Sequence, residues 1–250
     1  MQYGICHLSI VPVRAIADDV SEMVTQLLYG DHFKVLEQRK YWSKIRIAFD
    51  ATEGWISNNQ MVLISEEDYQ TAHTNSPIKN TSDLVSFVST ESDMLIPIVI
   101  GSTIQNIDLV AHQFDGNYIE GVNDKSTLLD TALLYLNTPY LWGGKTPFGI
   151  DASGLTQMVY KINGYQLLRT ASQQASQGEP LSFIEESEAG DLAFFDNNEG
   201  VIDHVGIIMP NNYVIHAQGK VRIDRIDHTG IFNAETRSYT HQLRVIKKII

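Results

Sequence analysis

The 250-residue chain carries 30 acidic against 18 basic residues, a formal charge of -12, with 43% hydrophobic and 19% charged residues. This is the composition of a globular protein and excludes disordered and collagen-like classes. Without a basic stripe to release counterions, the acidic balance argues against a nucleic-acid partner.

In chain order, residues 1–66 hold short apolar runs at Leu8–Val13, Met23–Tyr29, Phe33–Leu36, Trp42–Phe49 and Gly54–Ile56, separated by polar turns such as Gly30-Asp31 and Asp50–Glu53. Lys44, Ile45, Arg46 and Ile47 alternate polar and apolar, as a half-buried strand does. Many short strands with turn signals between them predict a small β-barrel. The single cysteine, Cys6, excludes an internal disulfide framework and reads as a small buried strand residue. Met1–Cys6 shows no basic stretch leading into a long apolar one, which points to a cytoplasmic protein. The alternative is an exported protein whose signal has been removed.

Residues 67–122 start polar, with Pro77 and Asn80 marking a linker or a meandering edge. Leu95–Gly101 and Gln113–Gly121 then read as strands. The longest apolar run, Met94–Ile100, is broken by Pro97 and falls well short of the roughly 20 residues a membrane helix needs. No membrane span is expected, and the chain is taken as a monomer.

Residues 123–250 change character. Asp124 or Ser126 is placed to cap a helix whose Leu128, Leu129, Ala132, Leu133 and Leu136 share a face, with Pro139 beyond its end. A second helix should open at Asp151 and stop at Asn163-Gly164. Strands follow at Asp191–Phe195, His204–Met209, Tyr213–Ala217 and Gln242–Ile249. Helices followed by an antiparallel sheet define an α+β domain.

The segment Tyr140-Leu141-Trp142-Gly143-Gly144 leads through Phe148-Gly149-Ile150 into Asp151-Ala152-Ser153-Gly154-Leu155. A glycine-rich turn feeding a capped helix leaves backbone N–H groups pointing outward at the first turn. A thiolate there would be stabilised by the helix dipole, and the N–H groups could serve as an oxyanion hole. The turn suits a cysteine nucleophile, yet the residue is Ala152. Farther on, alternation puts His204 and Gly206 on one face of their strand and Val214 and His216 on one face of the next. The pair should meet on the helix-facing side, His204 as general base and His216 as its orienting partner. The other histidines, His241 among them, read as ordinary structural residues. No close His or Cys pair has metal-ligand spacing.

The sequence resembles the NlpC-type papain-like cell-wall peptidases. The resemblance rests on Tyr-x-Trp-Gly-Gly followed by Asp-Ala-Ser-Gly-Leu, where that family has Asp-Cys-Ser-Gly-Leu. It also rests on Asp203-His204-Val205-Gly206, His216-Ala217, Arg169 with Gln173 or Gln174, and Gly190-Asp191-Leu192. It implies a papain-like catalytic domain over 123–250, Ala152 at the nucleophile position, and Tyr140 in the catalytic site. Asp151 would help to hold a substrate α-amine as well as cap its helix, while Ser153, Trp142 and Asp203 would line the substrate site. Arg169 would bind a substrate carboxylate or form a structural salt bridge.

Leu27-Leu28-Tyr29-Gly30-Asp31, Tyr41-Trp42-Ser43-Lys44-Ile45 and Glu53-Gly54-Trp55-Ile56 resemble a bacterial SH3-like domain, with a second, degenerate one within 67–122. That architecture is similar to γ-D-glutamyl-L-diamino-acid endopeptidases, which cleave stem peptides bearing a free N-terminal L-alanine. In that scheme the first barrel restricts the cleft to a short free N-terminus. Glu22 and, less directly, Glu53 are the barrel carboxylates available to an ammonium; each also reads as an ordinary solvated charge. No cofactor is required. The Ala152 chain is then either a substituted enzyme or a natural pseudoenzyme that binds wall peptides.

Overall fold

The computed structural model describes residues 1–197 and 199–250. It divides into a unit of residues 1–122 with 142–146, and a unit of residues 123–141 with 147–250.

In the first unit, seven short strands form one antiparallel sheet: β1 (Gln2–Ile5), β2 (Ile10–Arg14), β3 (Met23–Leu28), β4 (His32–Gln38), β5 (Trp42–Ile47), β6 (Glu53–Ser57) and β7 (Val62–Ile64). Their order is β3-β2-β6-β5-β4-β1-β7. The alternation read in β5 is realised, with Ser43, Ile45 and Ile47 buried and Arg46 exposed. Val11, Val13, Leu27, Phe33, Ile45 and Ile56 make the core, and Cys6 is buried among them.

The polar stretch expected as a linker instead begins with helix α1 (Glu66–Thr74). Ser65 caps it by accepting a hydrogen bond from the Asp68 N–H, and three acidic residues occupy its positive first turn. Tyr69 and Ala72, three apart, bury one narrow face. Beyond it lie β8 (Lys79–Thr81), β9 (Val85–Thr90), β10 (Leu95–Val99), β11 (His112–Phe114) and β12 (Tyr118–Glu120). These pair as two small sheets, β10-β9-β11 and β12-β8, rather than as one continuous barrel sheet. Tyr29 packs with Val88, Ile98 and Ile104, so these strands share a core with the first barrel. A short strand, β13 (Lys145–Thr146), completes the unit.

The second unit contains α2 (Thr127–Leu133), β14 (Gly149–Ile150), α3 (Ala152–Ile162) and α4 (Ala171–Gln174). Its later strands are β15 (Glu179–Leu181), β16 (Leu192–Asp196), β17 (Ile202–Met209), β18 (Tyr213–Gln218), β19 (Lys220–Ile226), β20 (Gly230–Asn233) and β21 (Ser238–Lys248). Helix α2 is shorter than expected and neither Asp124 nor Ser126 caps it with a side chain; Ser126 itself has helical dihedrals. Its buried positions are Leu128, Thr131 and Ala132, while Leu133 and Leu136 are exposed. Helix α3 runs between the expected limits, from the Asp151 cap to Asn163, with Gly164 at φ +87°.

The sheet order is β15-β21-β16-β17-β18-β19-β20, and β20 also pairs with β21. The six strands β16 to β21 therefore close on themselves. The antiparallel sheet expected from the sequence is present, and β19 and β20, which are not among the strands expected there, are the ones that let it close. Inside the ring, Ala193, Phe195, Ile208, Val214, Ile226 and Ile231 form a core. On the opposite face Val205, Ile207, Ile215 and Ala217 are buried, and α3 packs along β17 and β18 while α4 packs on β17. No helix among the described residues is long and apolar enough to cross a membrane.

Candidate active site

The start of α3 is held by a polar cluster. Asp151 Oδ1 accepts the Gly154 N–H at 2.6 Å, which satisfies one of the helix's unpaired donors. The Arg169 guanidinium grips the same carboxylate with both arms, Nη1 to Oδ1 at 3.0 Å and Nη2 to Oδ2 at 2.7 Å. Nη1 also donates to Ser153 Oγ at 3.0 Å. Arg169 and Asp151 are 3% and 8% exposed, so the pair is desolvated and depends on this bidentate geometry. Of the two roles left open for Arg169, the structure shows the salt bridge: its planar fork faces Asp151.

Arg169 is presented by the turn before α4. There Thr170 and Gln173 form a capping box. Buried Gln174 donates from Nε2 to Ser153 O and Leu168 O and accepts from Thr156 Oγ1. Gln173 thus starts α4 while Gln174 ties it to α3. Ala152, the first residue of α3, is buried with 5% exposure beside this clamp. Tyr140 lies on the adjoining segment, where its N–H donates to Gly219 O. Burial, followed by the charge of Asp151, raises its phenol above the usual range, with Asp203 adding to the shift and Arg169 opposing it. Asp203 itself is exposed at the start of β17. Asp191 has a structural place: Lys125 Nζ reaches its Oδ1 at 2.7 Å.

His204 and His216 come together as expected: His204 Nε2 and His216 Nδ1 are 2.8 Å apart. They lie on the face of β17 and β18 that carries Ile208 and Val214. Both faces of β17 and β18 are apolar, so alternation pairs the two histidines without saying which side the helix takes. Gly206 stands opposite His216. A Cβ there would come within 2.6 Å of Val214 Cγ2 and 3.0 Å of His216 Cβ, so glycine keeps open the diagonal between the rings.

Three further residues complete the cluster: His241, expected to be only structural, and Asp224 and Arg222, which the sequence did not single out. His241 of β21 stacks on His204, with ring centroids 3.9 Å apart and planes at 19°. Asp224 of β19 lies 3.1 Å from His216 Nε2 through Oδ2. Arg222 holds Asp224 from the other side, Nε to Oδ2 at 2.6 Å and Nη2 to Oδ1 at 3.0 Å. The signal was the alternation of Val221-Arg222-Ile223-Asp224, which puts Arg222 opposite His216 and Asp224 opposite Val214. Burial, then His241 and His216, carry the His204 imidazole well below its ordinary range. Burial also lowers His216, against the pull of Asp224. His241 is pushed down to about 4, mainly by burial. Asp224 is ionised: burial opposes it, but His216 and Arg222 prevail and lower its carboxyl.

The ring nitrogens of His204, His216 and His241 fall within 4.8 Å of one another. They make a poor metal cradle all the same. His204 and His241 are stacked face to face rather than turned toward a common centre, and both nitrogens of His216 are engaged in hydrogen bonds. The cluster is a hydrogen-bonded chain.

The remaining candidates lie in the first unit. Trp142 is 61% exposed and donates from Nε1 to Glu22 Oε1 at 2.6 Å. Lys145 N–H donates to Gln26 Oε1 at 2.7 Å. Gly143, at φ +76°, lies against the Met23 carbonyl, where a side chain would collide. Glu53 is bound to Lys44 at 2.9 Å and Arg46 at 2.6 Å, which turns this candidate for an ammonium into a partner of its own strand neighbours.

A helix capped ahead of a six-stranded ring, with a histidine pair on adjacent strands, defines a papain-like α+β domain. Residues 137–240 match the NlpC/P60 family, and residues 13–61 match the bacterial dipeptidyl-peptidase Sh3 domain. The chain thus carries an NlpC/P60 domain preceded by an SH3-like domain. It is similar to Dipeptidyl-peptidase 6 of Lysinibacillus sphaericus, 26% identical over 83% of this chain and 85% of that one. It is also similar to the Gamma-D-glutamyl-L-lysine dipeptidyl-peptidase of Bacillus cereus, 25% identical over 80% of this chain and 68% of that one. A crystal structure of an NlpC/P60 family protein from Bacillus cereus superposes with a TM-score of 0.79, covering 99% of each chain at 17% identity, and shows the same fold.

Proposed function

We propose that this protein is built on a cysteine endopeptidase that hydrolyses the γ-D-glutamyl bond to the diamino acid in cell-wall stem peptides with a free N-terminal L-alanine, and that Ala152 occupies the nucleophile position. The observation that carries this reading is the start of α3: a clamped, Asp151-capped helix whose first residue is Ala152, packed on the strand that bears His204. The names of the similar proteins, one a Gamma-D-glutamyl-L-lysine dipeptidyl-peptidase, support the substrate class.

With cysteine at 152, His204 would take the thiol proton and the thiolate would attack the γ-glutamyl carbonyl. N–H groups at the start of α3 would face the oxyanion. Collapse of the adduct breaks the C–N bond, with His204 returning the proton to the departing amine. Water then hydrolyses the thioester, its proton passing through His204 to restore the thiol. As the sequence stands, the base has no nucleophile to serve. Ser153 is not a substitute, because it is turned by about 100° on the helix and its hydroxyl is bound to Arg169 and Asp151.

The test is a paired incubation of the chain and its Ala152→Cys variant with L-Ala-γ-D-Glu-diaminopimelate, the L-lysine analogue, and the N-acetylated forms, read by mass spectrometry. Release of L-Ala-D-Glu by Ala152→Cys alone, and from free-amine peptides alone, is the expected result. If Ala152→Cys cuts none of them while the chain still binds one, the protein is a non-hydrolytic wall-peptide binder.

A further inference from the structure

Hydrogen-bond chemistry fixes more of the histidine pair than their proximity does. Asp224 is 5% exposed and receives three contacts from nitrogen, from His216 Nε2, Arg222 Nε and Arg222 Nη2. An ionised carboxylate only accepts, so the proton of His216 belongs on Nε2. In a neutral ring that leaves Nδ1 as an acceptor. His204 Nε2, 2.8 Å away, must then be the donor, which leaves the lone pair of His204 on Nδ1.

We propose that Asp224 is a positioning residue which, through His216, holds His204 in the single tautomer whose Nδ1 is basic, and that Arg222 keeps Asp224 charged and oriented for this work. The role of His204 as a base rests on the peptidase reading above; the tautomer chain does not. Two further observations support it. His204 and His216 are both buried with their imidazoles held below the ordinary range, so near neutral pH they are uncharged rings in which the tautomer is meaningful. The chain is also built entirely on strands, with Arg222 in register with His216 and Asp224 in register with Val214, so paired backbone rather than a loop sets its spacing.

When His204 becomes an imidazolium, its Nε2 proton still points to His216 Nδ1, and His216 still donates to Asp224. The carboxylate then balances the new positive charge through one intervening ring, without itself taking up a proton. Loss of the acceptor should free His216 to place its proton on either nitrogen. Each His216 ring carrying the proton on Nδ1 forces His204 to turn its own lone pair toward Nε2, away from the reacting side. Asp224 therefore acts on a ring that it does not touch.

The experiment is long-range proton–nitrogen NMR of the ¹⁵N-labelled full chain at pH 7.5, alongside Asp224→Ala, followed by kinetics in the Ala152→Cys background. The full chain should show both His204 and His216 protonated on Nε2 and bare on Nδ1. Asp224→Ala should convert both rings to a mixture, and in Ala152→Cys it should lower kcat roughly tenfold or more with KM unchanged. An Nδ1–H form of His216 in the full chain, or a His204 that keeps its single tautomer in Asp224→Ala, would overturn the proposal. Should Asp224→Ala fail to fold, the full-chain spectrum still decides. If the tautomers are as expected and Ala152→Cys cleaves no peptide, the peptidase reading fails while the positioning role stands.

Discussion

His204 and His216 meet at 2.8 Å although neither stands opposite the other in the strand register; His216 faces Gly206, and His204 reaches it on the diagonal. This diagonal depends on a residue without a side chain between the rings. Gly206→Ala would place its methyl within 2.6 Å of Val214 Cγ2 and 3.0 Å of His216 Cβ. The crowding should cost about 1–3 kcal/mol, visible as a lower melting temperature. The His204 and His216 ring signals should also move in NMR spectra. A variant as stable as the parent with unmoved ring signals would mean that the barrel gives way easily here.

His241 should be felt in the titration of its neighbour. It stacks on His204 and lowers its pKa, after burial itself. His241→Phe preserves a flat ring but removes the charge-bearing one, so the His204 imidazole should titrate at higher pH than in the parent. NMR titration of the chain measures this directly, with no cysteine to complicate the curve. An unchanged or lower His204 pKa would contradict the assignment.

The three histidines also set a direction for acid stability. Each is held below its ordinary value when folded, His241 at about 4, whereas in the unfolded chain each would titrate near 6.5. Below about pH 6.5 the unfolded state therefore binds protons that the folded state refuses. Their contribution is complete above that value and drains away as pH falls toward about 4. Urea unfolding at pH 7.5 and pH 5 should show the lower midpoint at pH 5, and His241→Phe should narrow the gap. Equal midpoints would show that the rings protonate freely while folded.

Arg169 and Asp151 should behave as a coupled pair. Arg169→Met removes the two-armed guanidinium contact from the buried Asp151 carboxylate, at a cost of about 3–5 kcal/mol. Asp151→Asn added to it should recover part of that loss, because the amide can still cap α3 through its oxygen. A double-mutant cycle from thermal melts measures the coupling, and additive single losses would indicate that the contact contributes little.

What was legible in the sequence follows the strength of local signals. Helix α3 could be delimited because both ends carry residues with one conformational use: an aspartate that accepts the Gly154 N–H and a glycine at positive φ. The SH3-like sheet could be read because β5 is buried on one face only, which makes alternation informative. Helix α1 was hidden because only Tyr69 and Ala72 are buried in a polar segment. In β17 and β18 alternation lost its direction, since a helix covers one face and the barrel core the other. His241 reads as an ordinary structural residue because the expected last strand starts at Gln242, whereas β21 starts four residues earlier at Ser238. Asp224 went unseen, since β19 was not recognised as a strand.

The pairing of β20 with β21 has a bearing on how this domain reaches its native state. Strand β21 also borders β15 and β16, so three partners await the last strand of the chain. Until residues 238–248 arrive, β16 and β20 each present a raw edge of unpaired N–H and C=O groups. The β20–β21 pairing is a local hairpin, but the pairings of β21 with β16 and β15 join segments far apart in sequence, which makes closure a late and cooperative event. A chain emerging from its amino end should complete the SH3-like unit first and hold the second unit open until its final strand seals both edges in one step.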